Sequence, residues 1–122
     1  MINENSTKSE VMEAVKQSGF ALWYASKALR ADKDVVLATV CNYGFTLRYA
    51  SDELKADREV VMVAVKQNGS ALEYASGALK RDRDVVMEAV KQDSRAFDFA
   101  GEELQKDVDV MTEVLRHIIK RN

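Results

Sequence analysis

Cys41 is the only thiol in the chain and His117 the only imidazole. Together they would make a thiolate nucleophile with its base, chemistry that needs the two side chains in hydrogen-bond contact. They lie in distant parts of the sequence, and neither has companions at the spacing of a metal site. Asp and Glu number 20, but they fall where helix ends and outer faces are expected. No two are set apart in an apolar setting, as paired general acid and base would be. The phosphate-cradling patterns G-x-x-x-x-G-K-[ST] and G-x-G-x-x-G are missing. The residues therefore predict no catalytic group, no metal ligand and no cofactor, and the expected class is a non-enzyme.

The elements that would have to position any site are set by a repeat. Leu29, Leu54, Leu79 and Leu104 are each followed three residues later by Asp32, Asp57, Asp82 and Asp107. Tyr24, Tyr49, Tyr74 and Phe99 keep the same step, as do Ala25, Ala50, Ala75 and Ala100. The step is 25 residues, for example from 29 to 54. A fixed period of this size marks a repeat architecture. The units span about 7–31, 32–56, 57–81 and 82–106, followed by a capping helix at about 107–121, all within one domain.

Each unit reads as a helix pair. Thr7-Lys8-Ser9-Glu10 has the form of a capping box, and Asp32, Asp57 and Asp82 stand as N-caps of later helices. The stretches 35–40, 60–65 and 85–90 are rich in Val and apolar around most of a helix, so they should be the inner member of each pair. Gly19, Gly44 and Gly69 then end the first helix by adopting the left-handed conformation. Ser94 holds that place in the fourth unit and predicts a less well specified turn there. A second helix is expected over 20–30, because Leu22, Ala25, Ser26 and Leu29 fall at i, i+3, i+4, i+7. A last helix over about 108–120 has Met111, Val114, Leu115 and Ile118 on one face and a polar outer face, as a cap of an open stack requires. The prediction is an all-α, solenoid-like stack of four two-helix repeats and a capping helix, nine helices in all.

Composition narrows the partners. Eighteen basic and 20 acidic residues leave a formal charge of −2, so no global field draws nucleic acid or an acidic membrane. The basic ladder Arg30, Lys33, Lys55, Arg58, Lys80, Arg81 and Arg83 could follow a phosphate backbone. Interleaved acids neutralise it locally, and helix-end electrostatics is the favoured reading. No apolar run reaches bilayer length. The polar start, without a signal-peptide core, and the single Cys point to the cytoplasm.

Departures from the repeat point to a surface. The position of Glu73 and Asp98 is Trp23 in the first unit and Arg48 in the second. The position of Ser70 and Arg95 is Phe20 and Phe45, and Tyr43 replaces Ser18, Asn68 or Asp93. Equivalent positions of stacked units are neighbours, so Phe20 should meet Phe45 and Trp23 should stack on Arg48. Aromatic and Arg residues anchor protein interfaces. Phe20, Trp23, Tyr43, Phe45 and Arg48 are thus the candidate partner-binding residues, for a protein partner or for a second copy in a homo-oligomer. The other reading is that Phe20 and Phe45 fold back as satellite core.

The unit D-x-[DE]-V-V-x-x-A-V-x-x-x-G-x-x-L-x-[YF]-A-S-x-x-L resembles a bacterial family catalogued as a domain of unknown function, with tandem copies of this pattern. The resemblance covers about residues 11–110 and is best at Ala64-Val65-Lys66-Gln67-Asn68-Gly69 and Leu72-Glu73-Tyr74-Ala75-Ser76. The fourth copy departs from it at Ser94, Phe97 and Gly101. The resemblance implies a protein of the kind that intracellular pathogens inject into host cells. A short array is similar to small regulators that inhibit another effector enzyme, such as a ubiquitin-modifying deamidase or transglutaminase. It implies no catalytic residue. It adds a host cell, reached without a visible N-terminal signal peptide, as a second expected location.

Overall fold

An aspartate opens every unit after the first, and the last helix as well. In the computed structural model, which describes residues 1–121, the side chains of Asp32, Asp57, Asp82 and Asp107 accept hydrogen bonds from backbone N–H groups two or three residues on. They thereby satisfy donors that a helix start leaves without partners. The helices they open are α4 (Lys33–Val40), α6 (Arg58–Gln67), α8 (Arg83–Gln92) and α10 (Val108–Arg121). Thr7 opens α1 (Lys8–Gln17) in the expected capping box, accepting from the Glu10 N–H while Glu10 accepts from the Thr7 N–H. The valines of these helices form the core. Val35, Val36, Val40, Val60, Val61, Val65, Val85, Val86 and Val90 are fully buried, and so are Leu22, Leu47 and Leu72. Helices of eight or ten residues are marginal alone, so lateral packing supplies the stability. α1 packs on α4, α4 on α6, α6 on α8 and α8 on α10. The chain is an all-α stack of repeats.

The second helix of each unit is divided, and thirteen helices replace the nine expected among the described residues. In the first unit the pieces are α2 (Ala21–Tyr24) and α3 (Lys27–Arg30). Later units have a 3-10 helix followed by one α-helical turn: η1 (Gly44–Tyr49) and α5 (Asp52–Lys55), η2 (Gly69–Tyr74) and α7 (Gly77–Lys80), η3 (Ser94–Phe99) and α9 (Glu102–Gln105). The Ala-Ser pair is the break, because both residues are extended, as at Ala50 (φ −73°, ψ 161°) and Ser51 (φ −63°, ψ 160°). Ser26, Ser51 and Ser76 then act as N-caps, each Oγ accepting from the N–H of the Leu three residues on. From the second unit on, the N–H at this position ties neighbouring units together. Ser51 donates to the Arg30 carbonyl, Ser76 to that of Lys55 and Gly101 to that of Lys80, at 2.9–3.0 Å. Ser76→Ala is expected to lower stability by about 1 kcal/mol through loss of the cap. Denaturant titration beside wild type checks it.

The turn glycines are needed for closeness, not handedness. No residue in the description has positive φ, so the expected left-handed ending is absent. A Cβ on Gly44 would instead overlap the Ala64 carbonyl oxygen, and one on Gly69 the Ala89 carbonyl oxygen. On Gly19 it would come within 2.6 Å of Thr46 Cγ2. Each glycine lets its turn lie flat against the following unit. The Ser94 turn is not looser than the others. Asp93 caps it through the Arg95 N–H, at φ −154° and ψ 112°, close to the −151° and 107° of Asn68.

Three of the seven ladder cations, with Lys8 ahead of them, join adjacent units. Lys8 bridges Asp32 and Asp34, Lys33 bridges Asp57 and Glu59, Arg58 bridges Asp82 and Asp84, and Arg83 bridges Asp107 and Asp109. Each cation reaches the N-cap aspartate and a first-turn acid of the next helix, where negative charge already favours the positive end of the helix dipole. Hydrogen bonds from Arg58 and Arg83 hold the Asp82 and Asp107 carboxyls below the ordinary carboxylate range. At Asp32 and Asp57 burial pushes the pKa up, but the bonds from Lys8, Lys33 and backbone N–H groups outweigh it and the net shift is downward. A depressed folded-state pKa contributes stability that is complete above the unfolded value, about 4, and is lost as pH falls through the lower folded value. Stability should therefore decline below about pH 4. Arg58→Gln should move the acid-unfolding midpoint to higher pH, as followed by circular dichroism.

The last helix differs from expectation. Of its predicted core-facing stripe only Val114 is half-buried, while Met111, Leu115 and Ile118 are exposed. Val110, in register with Val85, is the residue that α10 buries fully. No helix among the described residues is long and apolar enough to cross a membrane.

Candidate functional site

The positions that depart from the repeat meet on the layer formed by α2, η1 and η2, which pack in that order. Phe20 precedes α2, which carries Trp23 and Tyr24, and η1 carries Phe45, Arg48 and Tyr49. Four rings make one run. Phe20 lies 5.4 Å from Phe45 and 6.2 Å from Tyr49 between centroids, and Trp23 lies 5.4 Å from Tyr49. All three pairs are tilted, at 60°, 49° and 52°, the edge-on sense that ring quadrupoles favour. Phe45 and Tyr49 are half-buried and anchor the run. Phe20 and Trp23 stand on them, each 55% exposed. Phe20 therefore meets Phe45 as expected, but it sits at the surface.

The cations pair differently from expectation. Arg48 lies over the rings of Tyr49 and Tyr74, at 5.4 and 5.5 Å, and Trp23 takes Arg30 instead, at 5.6 Å. Tyr43 is placed apart from the ring run. Its ring packs against Gly19 and its hydroxyl donates to the Gln17 carbonyl at 3.4 Å, so it clamps the end of α1 to the second unit. Phe20, Trp23, Phe45 and Arg48 thus share one site.

Three members were not among the candidates. Tyr24 and Tyr49 repeat in every unit as Tyr or Phe, which makes them look like filler. Tyr24 is nonetheless exposed, since no earlier unit covers it. Arg30 reads as a helix-end charge, its place being Lys in the next two units. The signal that could have found it is the planar guanidinium, which stacks on indole where an ammonium does not. Beside Trp23, a hollow of about 310 Å³ is lined by Lys27, Arg30, Tyr49, Ala50, Ser51 and Asp52. Lys27 and Arg30 make no ion pair among the described residues, and the buried Arg30 Nε has no hydrogen-bond partner.

Elsewhere, Cys41 is exposed just after α4 and donates to the Ala38 carbonyl. His117 is half-buried on α10, with α6 and α8 between the two helices. Among the described residues no three His, Cys, Asp or Glu side chains gather at metal-binding distance.

A family model described as Domain of unknown function (DUF4116) matches the chain three times, over residues 32–80, 57–105 and 82–120. The chain belongs to this family. Successive matches begin 25 residues apart and the first two each span two units, so the stagger reproduces the structural period. The DUF4116 matches take in η1 and its Arg48 and Phe45, while Phe20 and α2 with its Trp23 lie before the first of them. No curated protein and no solved structure matches the chain.

Proposed function

We propose that the chain is a non-enzymatic protein-binding module that holds its partner on the aromatic layer of its first two units. The observation that carries this reading is the exposed ring run Phe45, Phe20, Tyr49 and Trp23, flanked by Arg30 and Arg48. The positions of Phe20 and Phe45 hold Ser70 and Arg95 in the third and fourth units, and that of Trp23 holds Glu73 and Asp98, so these three rings are added to a repeat whose Tyr49 position is aromatic throughout. Rings on a rigid stack lose little conformational entropy when a partner covers them. Lys27 and Arg30 in the neighbouring hollow suit an acidic side chain of that partner.

By resemblance to small regulators with such repeats, the partner is an enzyme held inactive, a bacterial effector such as a ubiquitin-modifying deamidase or transglutaminase. The test is affinity capture from cells that make the protein, with wild type and Phe20→Ala/Trp23→Ala as baits, read by mass spectrometry. A protein retained by wild type and lost by the variant supports the module and identifies what it binds. The same protein retained equally by both baits refutes the assignment of the surface.

A further inference from the structure

Among the described residues one buried side-chain N or O atom has no hydrogen-bond partner, and it is Arg30 Nε. A buried donor without an acceptor is costly, and more so on a charged group. Arg30 stands half-buried at the hollow of about 310 Å³ beside Trp23, its guanidinium over the indole. Lys27, one turn earlier on α3, lines the same hollow. Like charges at i, i+3 on a helix repel. Neither cation makes an ion pair among the described residues, although Asp52 lines the hollow with them. On the facing wall Ser51 Oγ accepts from the Leu54 N–H, which leaves the hydroxyl hydrogen free to donate. The Ser51 N–H donates to the Arg30 carbonyl at 3.0 Å, so the two walls are fixed to one another.

The doubly cationic wall belongs to this junction alone. The places of Lys27 and Arg30 hold Asp52 and Lys55 in the second unit, Gly77 and Lys80 in the third, and Glu102 and Gln105 in the fourth. Phe20, Trp23 and Phe45 depart from the repeat at the same junction. Rings and cations are added together, and they make a surface suited to an apolar group beside an anion.

Given a protein partner on the aromatic layer, the reading on which this rests, we propose that the hollow is a carboxylate pocket. It receives one Glu or Asp side chain of the partner, while an apolar neighbour of that residue rests on Phe20 and Trp23. The edge of a guanidinium holds both oxygens of a carboxylate while its face lies on a ring, and Lys27 adds a point charge. Two cations and one acid leave a single net positive charge, which matches a carboxylate. A phosphate dianion would exceed it and meet Asp52 as a like charge.

Peptides test the pocket, because they present an acid beside an apolar residue in every order. A displayed library of random linear peptides is selected on wild type, and the enriched sequences are synthesised and measured by fluorescence polarisation. They should pair an acid with an aromatic or aliphatic residue and lose affinity for Phe20→Ala/Trp23→Ala. Replacing the peptide's acid with its amide should weaken binding to wild type about tenfold or more. The same replacement should matter little on Lys27→Gln/Arg30→Gln, whereas Lys55→Gln, one unit on, should behave as wild type. Such coupling would not arise if Arg30 only steadied the indole. If Lys27→Gln/Arg30→Gln proves misfolded, Lys27→Gln alone, at an exposed position, is read in the same way. Phosphoserine in place of the acid should bind more weakly. Peptides that need Phe20 and Trp23 but carry no acid overturn the pocket and leave the aromatic layer standing. An amide that costs as much on Lys27→Gln/Arg30→Gln as on wild type does the same, and so does tighter binding of phosphoserine. Peptides indifferent to Phe20 and Trp23, or a library that yields none, overturn both.

Discussion

Gly69→Ala should lower the stability of the domain by about 3 kcal/mol, at the upper end of what overpacking a close contact costs. The backbone at Gly69 has negative φ, so alanine adds no torsional strain. The cost comes from the new methyl overlapping the Ala89 carbonyl oxygen of α8 and crowding the Asp93 backbone N and Cβ. That oxygen cannot retreat freely, because it accepts the Asp93 N–H at 2.9 Å and so holds the end of α8. Relief requires the third and fourth units to separate, which uncovers Val85, Val86 and Val90. Against a typical domain stability of about 5–15 kcal/mol this is a large fraction. It corresponds to a melting temperature lower by roughly 10–15 °C for a chain of this size. Gly77→Ala is the matched control. A Cβ there meets only Arg81 Nη1 at 3.5 Å, the end of a flexible side chain. Alanine should favour α7 by up to about 1 kcal/mol. Thermal melts followed by circular dichroism decide between them. Equal melting temperatures for the two variants would show that the glycines are not set by the approach of the next unit.

The second large effect is on binding. Phe20→Ala/Trp23→Ala should weaken the partner complex by at least about 100-fold, since two aromatic anchors at about 2 kcal/mol each exceed the 1.4 kcal/mol per decade of affinity. Stability should fall by no more than about 2 kcal/mol, which leaves the domain folded. Both side chains are more than half exposed, and what they lose in the folded chain is ring contact with Phe45 and Tyr49, about 1 kcal/mol each. Truncating half-buried Phe45 would confuse the two effects, because its ring supports Phe20 from beneath. Glu73→Ala/Asp98→Ala changes the equivalent positions of the third and fourth units and should leave both quantities nearly unchanged.

The repeat, the caps and the valine core are legible in the sequence because each is local or periodic. Thr7 with Glu10, and Asp32, Asp57 and Asp82 ahead of apolar runs, state their roles within four residues. The division of the second helix is not legible. A 3-10 turn, two extended residues and one α turn return Leu47 and Leu54 to the core at the same spacing that a continuous helix would give. Ser51 gives no warning, since the residue three places on is Leu54, not the Glu or Gln of a capping box. Gly44 and Gly69 look alike whether they serve positive φ or close approach, and only the position of the next carbonyl separates the two.

At the candidate site the anomalous residue types were visible, but their pairing was not. Phe20 and Phe45 meet because they precede adjacent members of one layer. Arg48 lies over Tyr49 and Tyr74 and misses Trp23, and the indole is met instead from within its own unit by Arg30. Tyr43 looked like surface and is spent on the junction with Gly19. The apolar stripe of α10 was legible, but no property of a single helix tells whether that stripe has a neighbour.

The measurement that bears most directly on the binding reading is parallel capture with three baits: wild type, Phe20→Ala/Trp23→Ala and Glu73→Ala/Asp98→Ala. Each bait is first shown by circular dichroism to be folded at the capture temperature. One protein held by wild type and by the Glu73/Asp98 variant, and missing from the Phe20/Trp23 variant, is the predicted result. A protein held by the Phe20/Trp23 variant and lost from the Glu73/Asp98 variant would contradict it, and would place the binding surface on the opposite half of the stack.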